Sequence, residues 1–160
     1  MVLTIQKGND GCLYVVTAIK DVDDDKQVWD ASELADGGWG FIHNKGNGLV
    51  MDVQHGLGNK GANVITLPKR NEKNSNQLWK YEDGFIISQQ TGLALDISGE
   101  KRNAGTNLIV WGKKAPSRTR NQKWTFLQQQ MTIEGKVIDV SYIKVWVKIK
   151  ILYISLNCRF

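Results

Sequence analysis

The sequence predicts an all-β fold built from three similar units of about forty residues each. A Gln-x-Trp motif occurs at residues 77–79 and 122–124, and a weaker copy occurs at residues 27–29, so the tryptophans are 50 and 45 residues apart. A hydrophobic strand that carries an aspartate occurs in step with this motif, and the aspartates are Asp52, Asp96 and Asp139. Self-similarity at a fixed period of this size is typical of repeat architectures.

Each complete unit consists of four short predicted strands separated by turns rich in Asn and Gly. In the second unit, residues 38–80, the strands cover 39–42, 49–53, 64–67 and the stretch around Trp79. In the third unit, residues 81–124, they cover 84–88, 93–97, 108–111 and 122–126. Short strands at regular spacing without a helical period indicate a barrel or a sandwich. Because a propeller typically needs four or more blades, three units favour a β-trefoil, a barrel of three pseudo-repeats.

The first unit, residues 1–29, is split or incomplete because its opening strand is missing. Its first five residues align with residues 93–97, and Thr4 stands where the aspartate is expected. A new unit begins at residues 125–140, and we expect residues 125–135 to supply the missing strand, as in a circular permutant. The predicted domain therefore spans residues 1–140.

Residues 141–160 depart from the repeat pattern. None of the sixteen glycines lies beyond Gly135, and residues 142–152 alternate between an apolar face and a mainly basic face. A strand of this kind, if exposed, invites pairing along its edge. We interpret the segment as an irregular, β-prone extension that runs past the end of the domain. The alternative is an edge that binds a membrane surface or a protein partner.

Composition and charge indicate an ordinary globular protein, and no cofactor is predicted. Apolar residues make up 41% of the 160 residues, which argues against disorder. The net charge of +5 is spread along the chain before the last twenty residues, so no nucleic-acid partner is expected. Neither a signal peptide nor an apolar run long enough to span a membrane is evident. Cys12 and Cys158 occupy unmatched places in the repeat and predict no disulfide, so a cytoplasmic location is expected.

Metal binding and catalysis are also not expected. His43 and His55 lie on polar turns without a third ligand at a suitable spacing, and the acidic stretch 21–25 lacks the glycine and terminal glutamate of a calcium loop. No nucleophile elbow, phosphate-binding loop or zinc-protease helix occurs in the sequence. The chain is therefore predicted not to be an enzyme.

The Gln-x-Trp repeats, the Leu-x-x-Asp strands and the Gly turns before the third strands together resemble the ricin B-type lectin family. The resemblance covers about residues 1–140. It implies a β-trefoil that binds carbohydrate, with galactose-type sugars or their N-acetyl derivatives as the expected ligands. It also implies that Trp29, Trp79 and Trp124 pack inside the barrel, where each indole N–H needs an acceptor.

The resemblance points to one mainly intact sugar site, in the third unit. Asp96 would accept sugar hydroxyls, Trp111 would stack on the sugar ring, and Asn121 would donate and accept, with Gln122 behind them. A carboxylate suits this role because charge-assisted hydrogen bonds are the strong ones. The family often has Gln two residues before the stacking position, where this chain has Ile109.

The other two units match this pattern less well. The second unit keeps Asp52, Asn76 and Gln77 but has Leu67 at the stacking position, so a weak secondary site is expected there. The first unit has Thr4, Thr17 and Lys26 at the three positions, and no site is expected. An aspartate in such a place also commonly closes a turn. The alternative function is therefore a β-trefoil that binds proteins or inhibits proteases without binding sugar. Oligomeric state is not encoded in these patterns.

Overall fold

The computed structural model describes residues 1–56, 58–128, 131–133, 136–138 and 152–156. These residues form fourteen strands: β1 (Val2–Lys7), β2 (Leu13–Ala18), β3 (Trp29–Asp30), β4 (His43–Asn44), β5 (Val50–Val53), β6 (Val64–Leu67), β7 (Trp79–Glu82), β8 (Phe85–Ser88), β9 (Ala94–Ile97), β10 (Leu108–Trp111), β11 (Trp124–Gln128), β12 (Met131–Ile133), β13 (Lys136–Ile138) and β14 (Leu152–Leu156). The helices in this part of the chain are short 3-10 helices: Asp25–Gln27, Ser32–Leu34, Gln54–Gly56, Ser75–Gln77, Ser98–Glu100 and Pro116–Arg118. Within these ranges no helix has the length and apolar character needed to cross a membrane.

The strands pair antiparallel in three sheets. The largest has the order β1-β2-β6-β5-β4-β3-β14-β11, and an additional pairing of β14 with β1 closes it on itself. A second sheet has the order β10-β9-β8-β7, and β12 and β13 form a separate hairpin. Single bridges from Gly40 to Trp79, from Asn63 to Ile109 and from Val16 to Asn107 join the two larger sheets. This arrangement confirms the all-β prediction.

The three tryptophans of the Gln-x-Trp motif lie in the centre of the core, as predicted. Trp29, Trp79 and Trp124 are fully buried, and all belong to one hydrophobic cluster. Each indole N–H donates to a backbone carbonyl oxygen on the second strand of the same unit. The acceptors are Leu3, Met51 and Leu95 respectively, over 3.1, 3.2 and 3.1 Å. The same hydrogen bond in three places shows that the units share one packing scheme, because a buried indole needs this acceptor.

The glutamine of the motif closes a loop in every unit. The side-chain oxygen of Gln77 accepts from the backbone N–H of Arg70, and that of Gln122 accepts from Lys114. Their amide groups donate to the carbonyl oxygens of Pro68 and Gly112, and Gln27 donates in the same way to Ile19. The three acceptors, Ile19, Pro68 and Gly112, are structurally equivalent. The residues before them, Ala18, Leu67 and Trp111, therefore occupy the same position in their units. The alignment of Thr17 with Trp111 is wrong by one residue.

The strand that completes the first unit differs from the expected one. The described residues of the expected stretch, 125–128 and 131–133, do not form it, because β11 belongs to the third unit and β12 pairs with β13. Instead β14 pairs with β11, with Val2 and with Trp29. Ile154 is fully buried in the core cluster, as are Ile42, directly before β4, and Ile86 on β8.

Two further predictions bear on the ends of the units. The opening strand expected at 39–42 is present in part. Gly40 forms a single bridge, and the regular strand β4 begins only at His43, after the expected range. Asp139, Cys158 and most of residues 141–160 lie outside the described residues. The boundary after residue 140 stays a prediction, although β14, which lies beyond it, adds a strand to the largest sheet.

Candidate functional site

A cleft of about 670 Å³ lies over the third unit. Asp96 on β9 and Trp111 at the end of β10 both line it, and the antiparallel register aligns Asp96 with Ile109 and Trp111 with Ala94. Because residues two apart on a strand face the same side, Ile109 and Trp111 present their side chains to the same cleft. The complete lining is Gly61, Asn63, Asp96, Ser98, Gly99, Glu100, Asn107, Ile109, Trp111 and Lys114.

Three side chains hold the carboxylate of Asp96. Asn121 donates to one oxygen over 2.7 Å and Gln122 donates to the other over 2.8 Å. The ammonium group of Lys114 lies 3.4 Å from the second oxygen. A carboxylate has about four acceptor positions, so roughly one remains for a hydroxyl in the cleft. Asp96 is therefore fixed in place and only partly saturated.

Burial raises the pKa of Asp96 above 3.8, because a desolvated carboxylate is disfavoured in its charged form. Hydrogen bonding from Gln122 and the positive charge of Lys114 act in the opposite direction and are smaller. Glu100 at the rim behaves differently: its hydrogen bond with Lys114, over 2.7 Å, lowers its pKa below 4.5. The cleft thus contains one carboxylate that is hard to ionise and one that is easy to ionise.

Trp111 is the exposed aromatic side chain of this cleft, with 40% of its surface accessible. Opposite its ring lies Gly61, where a Cβ atom would come within 3.7 Å of the indole. Gly61 also has a φ of 91°, which a residue with a side chain rarely adopts. The backbone conformation therefore favours glycine here, whereas a Cβ atom would make only an ordinary van der Waals contact with the indole.

The second unit contributes part of the wall of the third unit's cleft. Asn63, on the loop before β6, bridges to Ile109 and lines the cleft. Its side-chain oxygen accepts from the amide of Asn107 over 3.2 Å, and its own amide donates to Gln54 over 3.2 Å. The cleft is therefore formed between two units and not within one.

A second cleft of about 760 Å³ occupies the equivalent place on the second unit. Asp52 is buried at its base, and Leu67 stands where Trp111 stands in the third unit, 44 residues later. Asn76 donates to one oxygen of Asp52 over 2.7 Å, and Arg70 donates to the other over 3.2 Å. Burial raises the pKa of Asp52 above 3.8, with hydrogen bonding and the charge of Arg70 opposing the shift.

The Asn and Gln residues of the repeated motif use their side chains for hydrogen bonds within the protein. Gln77 and Gln122 are fully buried, and their amide groups are used in the loop-closing hydrogen bonds described above. Asn121 donates to Asp96 and to the carbonyl of Ile97, and its oxygen accepts from Lys114. These side chains orient the aspartates.

The first unit lacks both groups that define the clefts. Thr4 replaces the aspartate, and its hydroxyl donates to Asp24 over 3.4 Å. Ala18 occupies the position of the aromatic ring, and Lys26 occupies that of the asparagine. The first unit therefore provides neither a carboxylate nor a stacking surface at this place.

Comparison with known proteins agrees with this architecture. The family model described as "Ricin-type beta-trefoil lectin domain" matches residues 38–148, which is more than half of the chain. The chain belongs to this family. Lectin domains bind carbohydrate, and the two clefts over Asp52 and Asp96 lie in the matched region.

Individual relatives support the β-trefoil fold. The lectin domain is similar to the designed three-fold symmetric protein ThreeFoil, with a TM-score of 0.62 and 24% identity over 76% of this chain and 88% of ThreeFoil. It is also similar to the C-half of an earthworm R-type lectin solved with GalNAc, with a TM-score of 0.51 and 19% identity over 76% and 93% of the two chains. The β-trefoil prediction is confirmed.

Sequence similarity is also found to mucoricin from Rhizopus delemar. The two proteins are 43% identical over 47 residues, which cover 29% of this chain and 32% of mucoricin. The matched part therefore spans about a third of the length of that relative.

Sequence reasoning missed four residues of the clefts. Arg70 and Lys114, which contact the two aspartates, are 44 residues apart, and so are Asn63 and Asn107. This is also the spacing of Asp52 and Asp96, so an alignment of the two complete units contains the signal. A sugar-binding motif does not include these four positions, so the motif alone does not identify them.

Proposed function

We propose that this lectin domain binds galactose-type sugars in the cleft of the third unit and has no catalytic role. One observation carries the proposal: Asp96 and Trp111 line the same cleft. Together these two side chains provide a hydrogen-bond acceptor for the sugar hydroxyl groups and a flat apolar surface for the C–H face of the sugar ring.

The chemistry of the proposed site depends on how Asp96 is held. Asn121 and Gln122 fix its two oxygens before any ligand arrives, and such preorganisation reduces the entropy lost on binding. The remaining acceptor position of Asp96 would receive a sugar hydroxyl, and Trp111 would cover the opposite side of the ring. Asn121 and Gln122 then act as positioning residues.

A single shallow site of this type binds weakly, because lectins gain most of their avidity from repetition. The proposal is therefore best tested by saturation-transfer NMR, which detects weak ligands. Galactose and N-acetylgalactosamine are expected to give signals, and glucose serves as the comparison sugar.

The decisive variant is Trp111→Ala, and Trp39→Ala is its matched control. Trp39 is 44% exposed, close to the value for Trp111, but it does not line either cleft. We expect Trp111→Ala to abolish galactose binding and Trp39→Ala to leave it unchanged. Equal effects of the two substitutions, or binding that survives in Trp111→Ala, would contradict the proposed site.

A further inference from the structure

The two clefts have the same frame but carry opposite charge. Their aspartates, Asp52 and Asp96, are equivalent, and so are the basic residues Arg70 and Lys114. The position of Glu100 at the rim of the third unit's cleft is taken by Gly56 in the second unit, 44 residues earlier. Because only one of the two clefts has this second carboxylate, their charge balance differs.

In the third unit the basic side chain is largely engaged. The ammonium group of Lys114 donates to Glu100 over 2.7 Å and to the side-chain oxygen of Asn121 over 3.1 Å, and it forms an ion pair with Asp96 at 3.4 Å. An ammonium group has three N–H donors, so the two hydrogen bonds leave one, beside the carboxylate of Asp96. Lys114 is also only 19% exposed. At most one donor is left for a ligand.

In the second unit the basic side chain retains free donors. Within the described residues, Arg70 makes its side-chain hydrogen bonds from a single terminal nitrogen, to Asp52 and to Asn76. A guanidinium group has five N–H donors, so three remain on its other two nitrogens. Arg70 is 46% exposed, which leaves these donors accessible from the cleft.

The net charge of the residues that line each cleft also favours an anionic ligand in the second cleft. Asp52, Arg70 and Lys73 line the second unit's cleft and sum to +1, and His55 lies beside them. Asp96, Glu100 and Lys114 line the third unit's cleft and sum to −1. Leu67 in the second cleft provides only a small apolar surface, so a ligand there would depend more on polar contacts.

We propose that the second unit's cleft binds a sugar that carries an anionic group, a carboxylate or a sulfate, which is received by the free guanidinium N–H groups of Arg70. A guanidinium group suits this role because its planar fork matches an anionic group through two parallel hydrogen bonds. Asp52 accepts a hydroxyl of the same sugar, as Asp96 does in the other cleft. The inference rests on the proposed carbohydrate-binding function, but it concerns a different cleft and different residues.

The test uses the full chain and three probes: galacturonic acid, galactose 6-sulfate and galactose. Arg70→Lys is the key variant, because lysine stands at the equivalent position of the third unit and is compatible with the fold. It keeps the charge beside Asp52 but removes the forked donors. We expect at least about a tenfold loss of affinity for both anionic sugars, in line with the strength of charge-assisted hydrogen bonds. Galactose binding is expected to stay the same.

Two control variants separate the clefts. Lys73→Gln removes the other positive charge of the second cleft and is expected to weaken anionic sugars only modestly. Trp111→Ala is expected to abolish galactose binding and to leave galacturonic acid binding intact. This variant therefore tests the second unit's cleft independently of the site proposed in the third unit.

The inference is overturned if Arg70→Lys binds both anionic sugars as well as the original chain does. It is also overturned if galacturonic acid binds the Trp111→Ala variant no better than galactose does, or if sodium acetate competes with it at equal concentration. The last outcome would mean that the cleft binds a free anion and not a sugar. Carboxylate and sulfate are distinguished by the relative affinities of the two anionic probes.

Discussion

Gly56 and Glu100 occupy the same position in consecutive units, and both have a left-handed backbone, with φ values of 59° and 57°. Each lies in the short 3-10 helix that follows the aspartate-bearing strand. Only Glu100 brings a carboxylate to the basic side chain of its cleft, over 2.7 Å to Lys114. This position therefore accounts for one of the two charges by which the clefts differ, and Lys73 of the second cleft accounts for the other.

Exchanging this position is expected to change ligand preference. Glu100→Gly removes the partner of Lys114 and frees one of its N–H donors, so the third unit's cleft should bind galacturonic acid several-fold more tightly. The substitution also places glycine at a left-handed φ, which favours folding. Ligand titration by NMR measures the change. Glu82→Gln, which removes an exposed carboxylate paired with Lys80, is the control, and an equal gain there would contradict the explanation.

The reverse exchange, Gly56→Glu, should weaken anionic ligands in the second cleft. A Cβ atom at position 56 would meet the end of the Gln90 side chain at 3.2 Å, and that flexible side chain can move aside. The new carboxylate would then compete with the ligand for Arg70. An unchanged affinity for galacturonic acid in a folded Gly56→Glu variant would be inconsistent with this competition.

Asp96 is expected to make stability and binding depend on pH in opposite ways. Because burial raises its pKa in the folded state above 3.8, the folded protein binds a proton more readily than the unfolded chain does. The stability gained from this group is present in full below pH 3.8 and is lost as pH rises through the folded-state pKa. Sugar binding needs the charged carboxylate as an acceptor, so affinity should rise over the same window.

Urea denaturation between pH 3 and pH 7 tests this expectation with Asp96→Asn as the comparison. The free energy of unfolding of the original chain, measured relative to the variant, should decrease with rising pH and then become constant. The comparison cancels groups such as Glu100, whose lowered pKa acts in the opposite direction. Parallel pH profiles for the two proteins would show that the pKa of Asp96 is not raised.

The core tryptophans are expected to dominate stability. Trp79→Ala removes a fully buried indole and its hydrogen bond to Met51, and should lower the free energy of unfolding by about 3–5 kcal/mol. Trp39→Ala, at an exposed position, should change it by less than about 0.5 kcal/mol. Equilibrium urea denaturation measures both. A loss at Trp79 no larger than that at Trp39 would refute the shared packing scheme.

Ile154 tests whether β14 is part of the folded domain. Its side chain is fully buried in the core cluster, so Ile154→Ala should lower the free energy of unfolding by about 2–5 kcal/mol. Ile19→Ala is the control, because Ile19 is largely exposed. A chain that ends at residue 140 should lose cooperative thermal unfolding. If that truncated chain melts like the full one, the boundary predicted from the sequence is correct and β14 is dispensable.

The sequence predicts the parts of the fold that are repeated with the same residues. The three core tryptophans and their glutamines recur in all three units, and Asp96 and Trp111 can be assigned to adjacent strands from their order alone. The loops that the glutamines close differ in length, with 8, 9 and 10 residues separating Gln27, Gln77 and Gln122 from their acceptors. The one-residue error at Thr17 has another cause: Gly11 aligns with Gly105, but Ala18 lies seven residues after Gly11 and Trp111 lies six after Gly105.

The strand β14 was not predictable for a different reason. It has no Gly-rich turn before it and no motif in common with the opening strands of the other units, and it lies in a long alternating stretch. Alternation shows which residues share a face but not which part of the stretch pairs. The pairing of β14 with β11, Val2 and Trp29 and the burial of Ile154 identify residues 152–156 as the strand.

The bridge between Asn63 and Ile109 means that a binding cleft requires two neighbouring units. One unit, copied alone, would contain the carboxylate and the ring but only one wall of the cleft. A single unit expressed alone would therefore lack a complete cleft. The charge at the rim, by contrast, differs between Gly56 and Glu100 while the frame around it is shared.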